Sequence, residues 1–190
     1  MARVVTLNGS PSATSRTAAL LNDLARTLAQ QGHEVVRLNL RELPPGPLLA
    51  AQANEPAIAQ AVKELEQAEG VVVGTPIYKA AYTGLLKAFL DLLPQFALTG
   101  KTVLPLATGG SVAHVLALDY ALRPVLSSLA ARHIVGSYFI LDKTITVHES
   151  GKVELDATIE PKYRESVEAF TESLRIHGLH GANSASAASR

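Results

Sequence analysis

Arg3-Val4-Val5-Thr6-Leu7-Asn8 runs straight into Gly9-Ser10-Pro11-Ser12-Ala13-Thr14-Ser15-Arg16-Thr17, and then into a helical pattern striped by Leu21, Leu24 and Leu28. A short apolar strand, a hydroxyl-rich glycine turn and an amphipathic helix are the first half of a βαβ unit. Gly9 permits a tight turn at the strand end. The Ser/Thr cluster supplies hydroxyl and backbone N–H donors, and the helix aims its positive dipole end at any anion held there. A plainer reading stays open, because Ser, Thr, Asp and Asn cap helix starts everywhere. The chain has no Gly-x-x-x-x-Gly-Lys-Ser/Thr run for a triphosphate with magnesium, and no Gly-x-Gly-x-x-Gly turn for a dinucleotide pyrophosphate. A compact monophosphate suits the loop better.

The same alternation recurs along the chain. Strands are expected at about 3–8, 34–40, 70–75, 102–108 and 134–141. Between them lie helical stripes of Ile58, Val62 and Leu65, and of Leu86, Phe89, Leu90 and Leu93. Val71-Val72-Val73 and Val103-Leu104-Pro105-Leu106 are continuously apolar, as parallel strands covered on both faces require. The expected fold class is therefore α/β: a three-layer, doubly wound sheet of five parallel strands in the order 2-1-3-4-5. In that order the ligand crevice falls at the carboxyl ends of strands one, three and four, so loops starting near Gly9, Thr75 and Thr108 should converge. The stretch 42–55, with Pro44, Pro45 and Pro47, is expected to be an irregular connection that covers the site or meets a neighbouring subunit. Residues 143–156, turning at Ser150-Gly151, predict a hairpin or arm. Tyr163, Val167, Phe170 and Leu174 mark a last helix packed on the sheet. One domain over 1–178 and a disordered tail over 179–190 are expected, the tail being Gly, Ala, Ser and Asn with little apolar bulk.

Composition narrows the function classes. The chain has 190 residues, 47% of them hydrophobic, enough for one full core. Seventeen basic residues balance seventeen acidic ones. That argues against nucleic-acid and polybasic membrane partners, which need clustered positive charge, and against a strongly acidic electron carrier. Without cysteine, thiolate catalysis, zinc-thiolate sites and iron–sulfur ligation are excluded. The first strand follows directly on Met1 and Ala2 and no long uncharged apolar run appears, so a cytoplasmic chain without signal peptide or membrane span is expected. Among the six histidines only His177 and His180 are suggestively spaced, no carboxylate partners them, and no metal is expected.

The second loop reads Thr75-Pro76-Ile77-Tyr78-Lys79-Ala80-Ala81-Tyr82-Thr83-Gly84. Pro76 stiffens its start, and two of the chain's five tyrosines offer broad amphipathic faces to a flat heteroaromatic ring. Lys79 either meets a phosphate of a second nucleotide or faces solvent. The third loop, Ala107-Thr108-Gly109-Gly110-Ser111, lets backbone approach a planar ligand without Cβ interference. His114 behind it faces either the pocket or the helix surface. From Val112 to Ala131 one helix is expected, yet Pro124 cannot donate to the carbonyl of Tyr120. A single π-type turn near Tyr120 would relieve that carbonyl; a plain proline kink with Tyr120 in the core is the alternative.

Taken together, Gly9-Ser10-Pro11 through Ser15-Arg16, the run Thr75 to Tyr82, Pro105 to Gly110, and Asp119-Tyr120-Ala121-Leu122-Arg123-Pro124-Val125-Leu126 resemble the NADPH-dependent FMN reductase family of flavodoxin-like proteins, closest to its alkanesulfonate two-component branch. The resemblance implies a two-substrate oxidoreductase that takes FMN and NADPH, passes hydride from NADPH to FMN and hands reduced flavin to a partner FMNH2-dependent monooxygenase. It implies that Ser10, Ser15, Arg16 and Thr17 hold the flavin phosphate, and that Pro76, Ile77, Tyr78 and Lys79 with Thr108, Gly109 and Gly110 frame the isoalloxazine. Tyr120 would mark flavin exchange and an oligomer interface, in a homotetramer or homodimer. Ser12 stands where many relatives carry Arg, which puts more of the phosphate charge on Arg16. Because hydride transfer is the cofactors' own chemistry, no catalytic side chain is assigned. Rival readings are a quinone or azo-dye reductase with prosthetic FMN, and a flavodoxin-type electron carrier.

Overall fold

Val4, Val72, Leu104 and Leu106 turn to one face of a parallel sheet, and Val5, Leu7, Val71, Val73, Val103 and Ala107 turn to the other. A strand alternates its side chains, so residues apolar at both phases demand cover on both faces. The computed structural model describes the backbone of residues 1–187 and the side chains of residues 1–176. Its strands β1 (Arg3–Asn8), β2 (Glu34–Asn39), β3 (Gly70–Pro76) and β4 (Thr102–Gly109) are followed by a fifth position made of two pieces, β5 (His133–Ile134) and β6 (Tyr138–Leu141). The order is β2-β1-β3-β4-β5, β6 also pairs β4, and every pair is parallel, as expected.

The fifth strand is broken where one run was expected. Three steps along β4, Val103 to Leu106, face four along the fifth strand, Ile134 to Tyr138, so one residue is extra. This bulge lies opposite Leu104-Pro105, and Pro105 has no N–H for the ladder.

Helices α1 (Arg16–Gln30) and α6 (Glu160–Ala187) cover the first face through Leu21, Leu24, Leu28, Val167, Phe170 and Leu174. On the other face lie α3 (Pro56–Glu66), α4 (Gly84–Leu90) and α5 (Arg123–Ser128), burying Ile58, Leu65, Leu86, Phe89 and Leu126. Each fully buried large side chain contributes about 1.5–3 kcal/mol. The stretch after β2 is more regular than expected: a 3-10 turn at Leu40–Glu42 leads to the short helix α2 (Pro45–Leu49). Pro45 stands in its first turn, where a missing N–H costs nothing, and Leu48 buries itself in the core. The expected hairpin is present as β7 (Ile145–Val147) paired antiparallel with β8 (Val153–Leu155).

The single helix expected over 112–131 does not form. A 3-10 turn at Val112–His114 is followed by a π-helical turn at Leu118–Leu122 and then by α5. The Arg123 N–H reaches back five residues to the Leu118 carbonyl, the widened ring that the unpaired Tyr120 carbonyl called for. Tyr120 is 78% exposed, which removes the alternative of a core tyrosine. The backbone of α6 is helical as far as Ala187. Residues 188–190 and the side chains of His177 and His180 lie outside the described residues.

Candidate active site

The carboxyl ends of β1, β3 and β4 carry three loops, and short bonds lock them together. Gly9 N–H donates to the Gly74 carbonyl at 2.8 Å, joining the first loop to β3. A Cβ at Gly9 would stand 2.9 Å from Leu86 Cβ and 3.2 Å from the Gly74 oxygen, so the turn admits only glycine. Thr83 donates its hydroxyl to the Gly9 carbonyl at 2.6 Å, takes the Leu86 N–H at 3.1 Å, and gives its own N–H to Thr75 at 3.2 Å. It thus caps α4 and clamps two loops at once. The sequence reading passes over Thr83, although a Thr just before Gly84-Leu85-Leu86 is a readable cap signal.

In the first loop Ser10 is fully buried; its N–H donates to Asn8 Oδ1 at 3.1 Å and its hydroxyl oxygen accepts the Ser12 N–H at 3.3 Å. Ser15 is the N-cap of α1, accepting the Ala18 N–H at 3.2 Å. The N–H groups of Arg16 and Thr17 belong to a first turn that has no partners within its own helix, and the Arg16 side chain is exposed at that end. Thr17 differs from its neighbours. It is 2% exposed, and its hydroxyl pairs at 2.7 Å with the hydroxyl of Thr108, also buried, so these two expected ligand residues bond to each other. They tie the first loop's helix to the third loop.

The second loop starts at Pro76, the buried last residue of β3, and at Ile77, whose N–H donates to the Thr108 carbonyl at 2.8 Å. Tyr78 and Ala81 then exchange N–H to carbonyl bonds of 2.9 and 3.2 Å around Lys79 and Ala80, whose φ angles are 50° and 64°. Two left-handed residues in a row make a turn normally given to Gly or Asn. Side chains there cost about 1–3 kcal/mol each and persist where the surroundings impose them. The turn carries Tyr78, half exposed, and Lys79 outward. Tyr82 packs inward, and burial pushes its phenol above the ordinary value.

The paired glycines of the third loop do different jobs. A Cβ at Gly109 would meet the Phe139 ring at 2.9 Å, so Gly109 answers to packing from β6. At Gly110 the same atom would meet nothing within 4 Å: here the backbone is open to an approaching ring. His114, behind it, is half-buried. The outer residues of the three loops, Arg16, Tyr78, Lys79 and Gly110, face solvent and make a shelf at the sheet's carboxyl edge. A cleft elsewhere, between α1, the hairpin and α6, is lined by Leu20, Leu24, Tyr163 and Val167 and by no residue of these three loops. Beside the shelf, Val112, Val115, Leu116 and Tyr120 are exposed over the buried Leu118 and Leu122. Asp119 fixes this turn, pairing with Arg123 at 3.2 Å and accepting the Ser137 hydroxyl at 3.3 Å.

A parallel sheet of this order, with anion- and ring-suited loops meeting at its switch point, defines a flavodoxin-like α/β protein. Residues 2–146 match the family described as NADPH-dependent FMN reductase. The chain belongs to that family and is an oxidoreductase of the FMN reductase (NADPH) kind. It is 44% identical to an FMN reductase (NADPH) of Escherichia coli, over 90% of each chain. It is 42% identical to one of Pseudomonas putida, over 90% of this chain and 87% of that one. A solved apo structure of the NADH:FMN oxidoreductase EMOB superposes with a TM-score of 0.82 at 44% identity, covering 91% and 90% of the two chains. Among the described residues no helix is long and apolar enough to cross a membrane.

Proposed function

We propose that the protein, working in the cytoplasm, takes NADPH and FMN as exchanging substrates and releases reduced FMN to a partner monooxygenase that frees sulfur from alkanesulfonates. The observation that carries the flavin site is the interlocking of three loops at β1, β3 and β4, with Gly110 left bare and the start of α1 presented to an anion. Ser10, Ser15 and Arg16 would hold the FMN phosphate with the first-turn N–H groups of α1, while Thr17 acts from beneath by fixing Thr108. Pro76 to Lys79 and Thr108 to Gly110 would frame the ring, and Lys79 would meet a phosphate of the incoming NADPH. The two bound rings supply the chemistry, a hydride transfer from nicotinamide to flavin that needs no side-chain acid or base. The chain's part is to stack the rings at reacting distance and to stabilise negative charge on the flavin with N–H groups near Gly109 and Gly110.

Two features favour flavin as a substrate. Arg16, Tyr78, Lys79 and Gly110 are exposed to solvent, and an exposed apolar stretch around Tyr120 stands ready to meet another copy in a homotetramer or homodimer. The test is NADPH oxidation by flavin-stripped protein while free FMN rises from zero to far above the enzyme concentration. A rate that climbs hyperbolically past one FMN per subunit is the expected result. Saturation at one equivalent would give instead a prosthetic-flavin quinone or azo-dye reductase, and no NADPH oxidation would leave a flavodoxin-type carrier.

A further inference from the structure

Beneath the first loop runs a file of polar side chains that the flavin reading does not use. Asn8, 4% exposed, ends β1; Asn39 ends β2 beside it; Glu42 lies one turn further on. Glu42 Oε1 accepts from Asn39 Nδ2 at 3.2 Å, Asn39 Oδ1 accepts from Asn8 Nδ2 at 3.2 Å, and Asn8 Oδ1 accepts the Ser10 N–H at 3.1 Å. A side-chain amide has one accepting end and one donating end, whereas a carboxylate only accepts. The carboxylate at one end and the Ser10 N–H at the other both demand the same direction for the amide bonds between them.

We propose that Asn39 and Glu42 are positioning residues for the phosphate loop: the Glu42 carboxylate orients the Asn39 amide, which orients the Asn8 amide so that its oxygen holds Ser10. This rests on the reading of the loop as the FMN phosphate site. With the Asn8 oxygen toward it, the Ser10 N–H is held and the Ser10 hydroxyl oxygen takes the Ser12 N–H, fixing the first turn of the loop. With the Asn8 amide reversed, an NH2 group would face the Ser10 N–H, donor against donor, and in a site almost without water the loop would have to move. Neither Asn39 nor Glu42 touches the ligand; both act through Asn8.

Replacing Glu42 separates this relay from simple electrostatics. Coulomb's law alone makes Glu42→Lys favourable to a bound phosphate, because an anion near it becomes a cation. The relay gives the opposite sign, since a lysine only donates, turns the Asn39 amide around, and turns Asn8 with it. The experiment titrates FMN and riboflavin into the full-length protein by flavin fluorescence, for the native chain and for Glu42→Lys, Glu42→Gln, Asn39→Ala and Arg16→Ala. Thermal melts accompany each titration. Glu42→Lys and Asn39→Ala are expected to weaken FMN by about fivefold, the equivalent of one hydrogen bond. Riboflavin affinity should stay within twofold, and Glu42→Gln, which retains an accepting oxygen, should stay near the native value. Tighter FMN binding by Glu42→Lys, or equal losses of both flavins in Asn39→Ala, overturns the relay. Should Asn39→Ala not fold, the exposed position 42 carries the test alone. If Arg16→Ala costs FMN selectively and the relay variants do not, the relay alone fails. If Arg16→Ala costs both flavins equally, the phosphate reading fails and takes the relay with it.

Discussion

The interlocked loops and the stretch that follows them, Val112 to Leu122, are built on opposite terms. In the loops the polar groups are spent inside the protein: Thr17 on Thr108, Thr83 on Gly9, Ser10 on Asn8 and Ser12. Along 112–122 the anchors Leu118 and Leu122 are buried, yet Val112, Leu116 and Tyr120 are 66%, 57% and 78% exposed. The first region holds its shape without help. The second keeps apolar surface in water, which costs about 25 cal/mol for each Å² until something covers it. The proposed function uses both, a cradle that stays formed when empty and a neighbouring surface free to associate.

The comparison breaks first at Gly9. Gly9→Ala sets a Cβ against Leu86 and the Gly74 carbonyl, neither the far end of a flexible side chain, and should cost about 3 kcal/mol in thermal unfolding. Unchanged stability would mean the loops yield more easily than their bonds imply. Next comes Thr17→Val, which strands the Thr108 hydroxyl and should cost about 1–2 kcal/mol. The double variant Thr17→Val/Thr108→Val should lose less than the sum of the singles, because no partner is left unpaired; additive losses would deny the pairing. Third, Gly109→Ala should destabilise by about 1 kcal/mol through the Phe139 ring, whereas Gly110→Ala should leave stability within about 0.5 kcal/mol and weaken flavin binding. Equal effects of the two on melting and on flavin titration would erase the difference drawn between them.

Away from the site, burial, with Asp23 adding, pushes the Tyr163 phenol well above its ordinary value. The folded state thus prefers the neutral ring, so its contribution is fully present below about pH 10, the unfolded value, and is lost as the pH rises beyond it. Denaturant melts of Tyr163→Phe above that pH should fall less steeply than those of the native chain; parallel curves would remove Tyr163 from the alkaline loss. The smallest effect on stability belongs to Tyr120→Ser, under about 0.5 kcal/mol for the isolated chain, since the side chain packs on little. Sedimentation should nonetheless show a shift toward smaller species, and an unchanged distribution would exclude Tyr120 from the contact.

How far each feature could be read in advance follows its range along the chain. The strands and loops were legible because Val71-Val72-Val73 and the glycine-hydroxyl turns act locally, and Pro124 announced the π-helical turn through one missing donor. The Thr17–Thr108 pair joins residues 91 apart, and the Asn8–Asn39 bond spans 31; nothing local marks either. The same holds for Gly109, whose partner Phe139 comes from the neighbouring strand β6, thirty residues on, so its role looked identical to that of Gly110. The helix expected from Val112 is broken into a 3-10 turn, a π-helical turn and α5, and Val112, Val115, Leu116 and Tyr120 on its early turns face water rather than a core that would hold one regular helix.

The extra residue in the fifth strand reaches beyond geometry. That strand is one of the sheet's two outer strands, β2 being the other, and an evenly spaced outer strand offers its free backbone to any passing chain, the usual first step toward aggregates. Shifting the register by one residue halfway along leaves only two short pieces, too brief and too misaligned for a second strand to dock along their length. At this edge, then, the sheet resists pairing with a second chain, although the protein keeps apolar side chains in water at Val112, Leu116 and Tyr120.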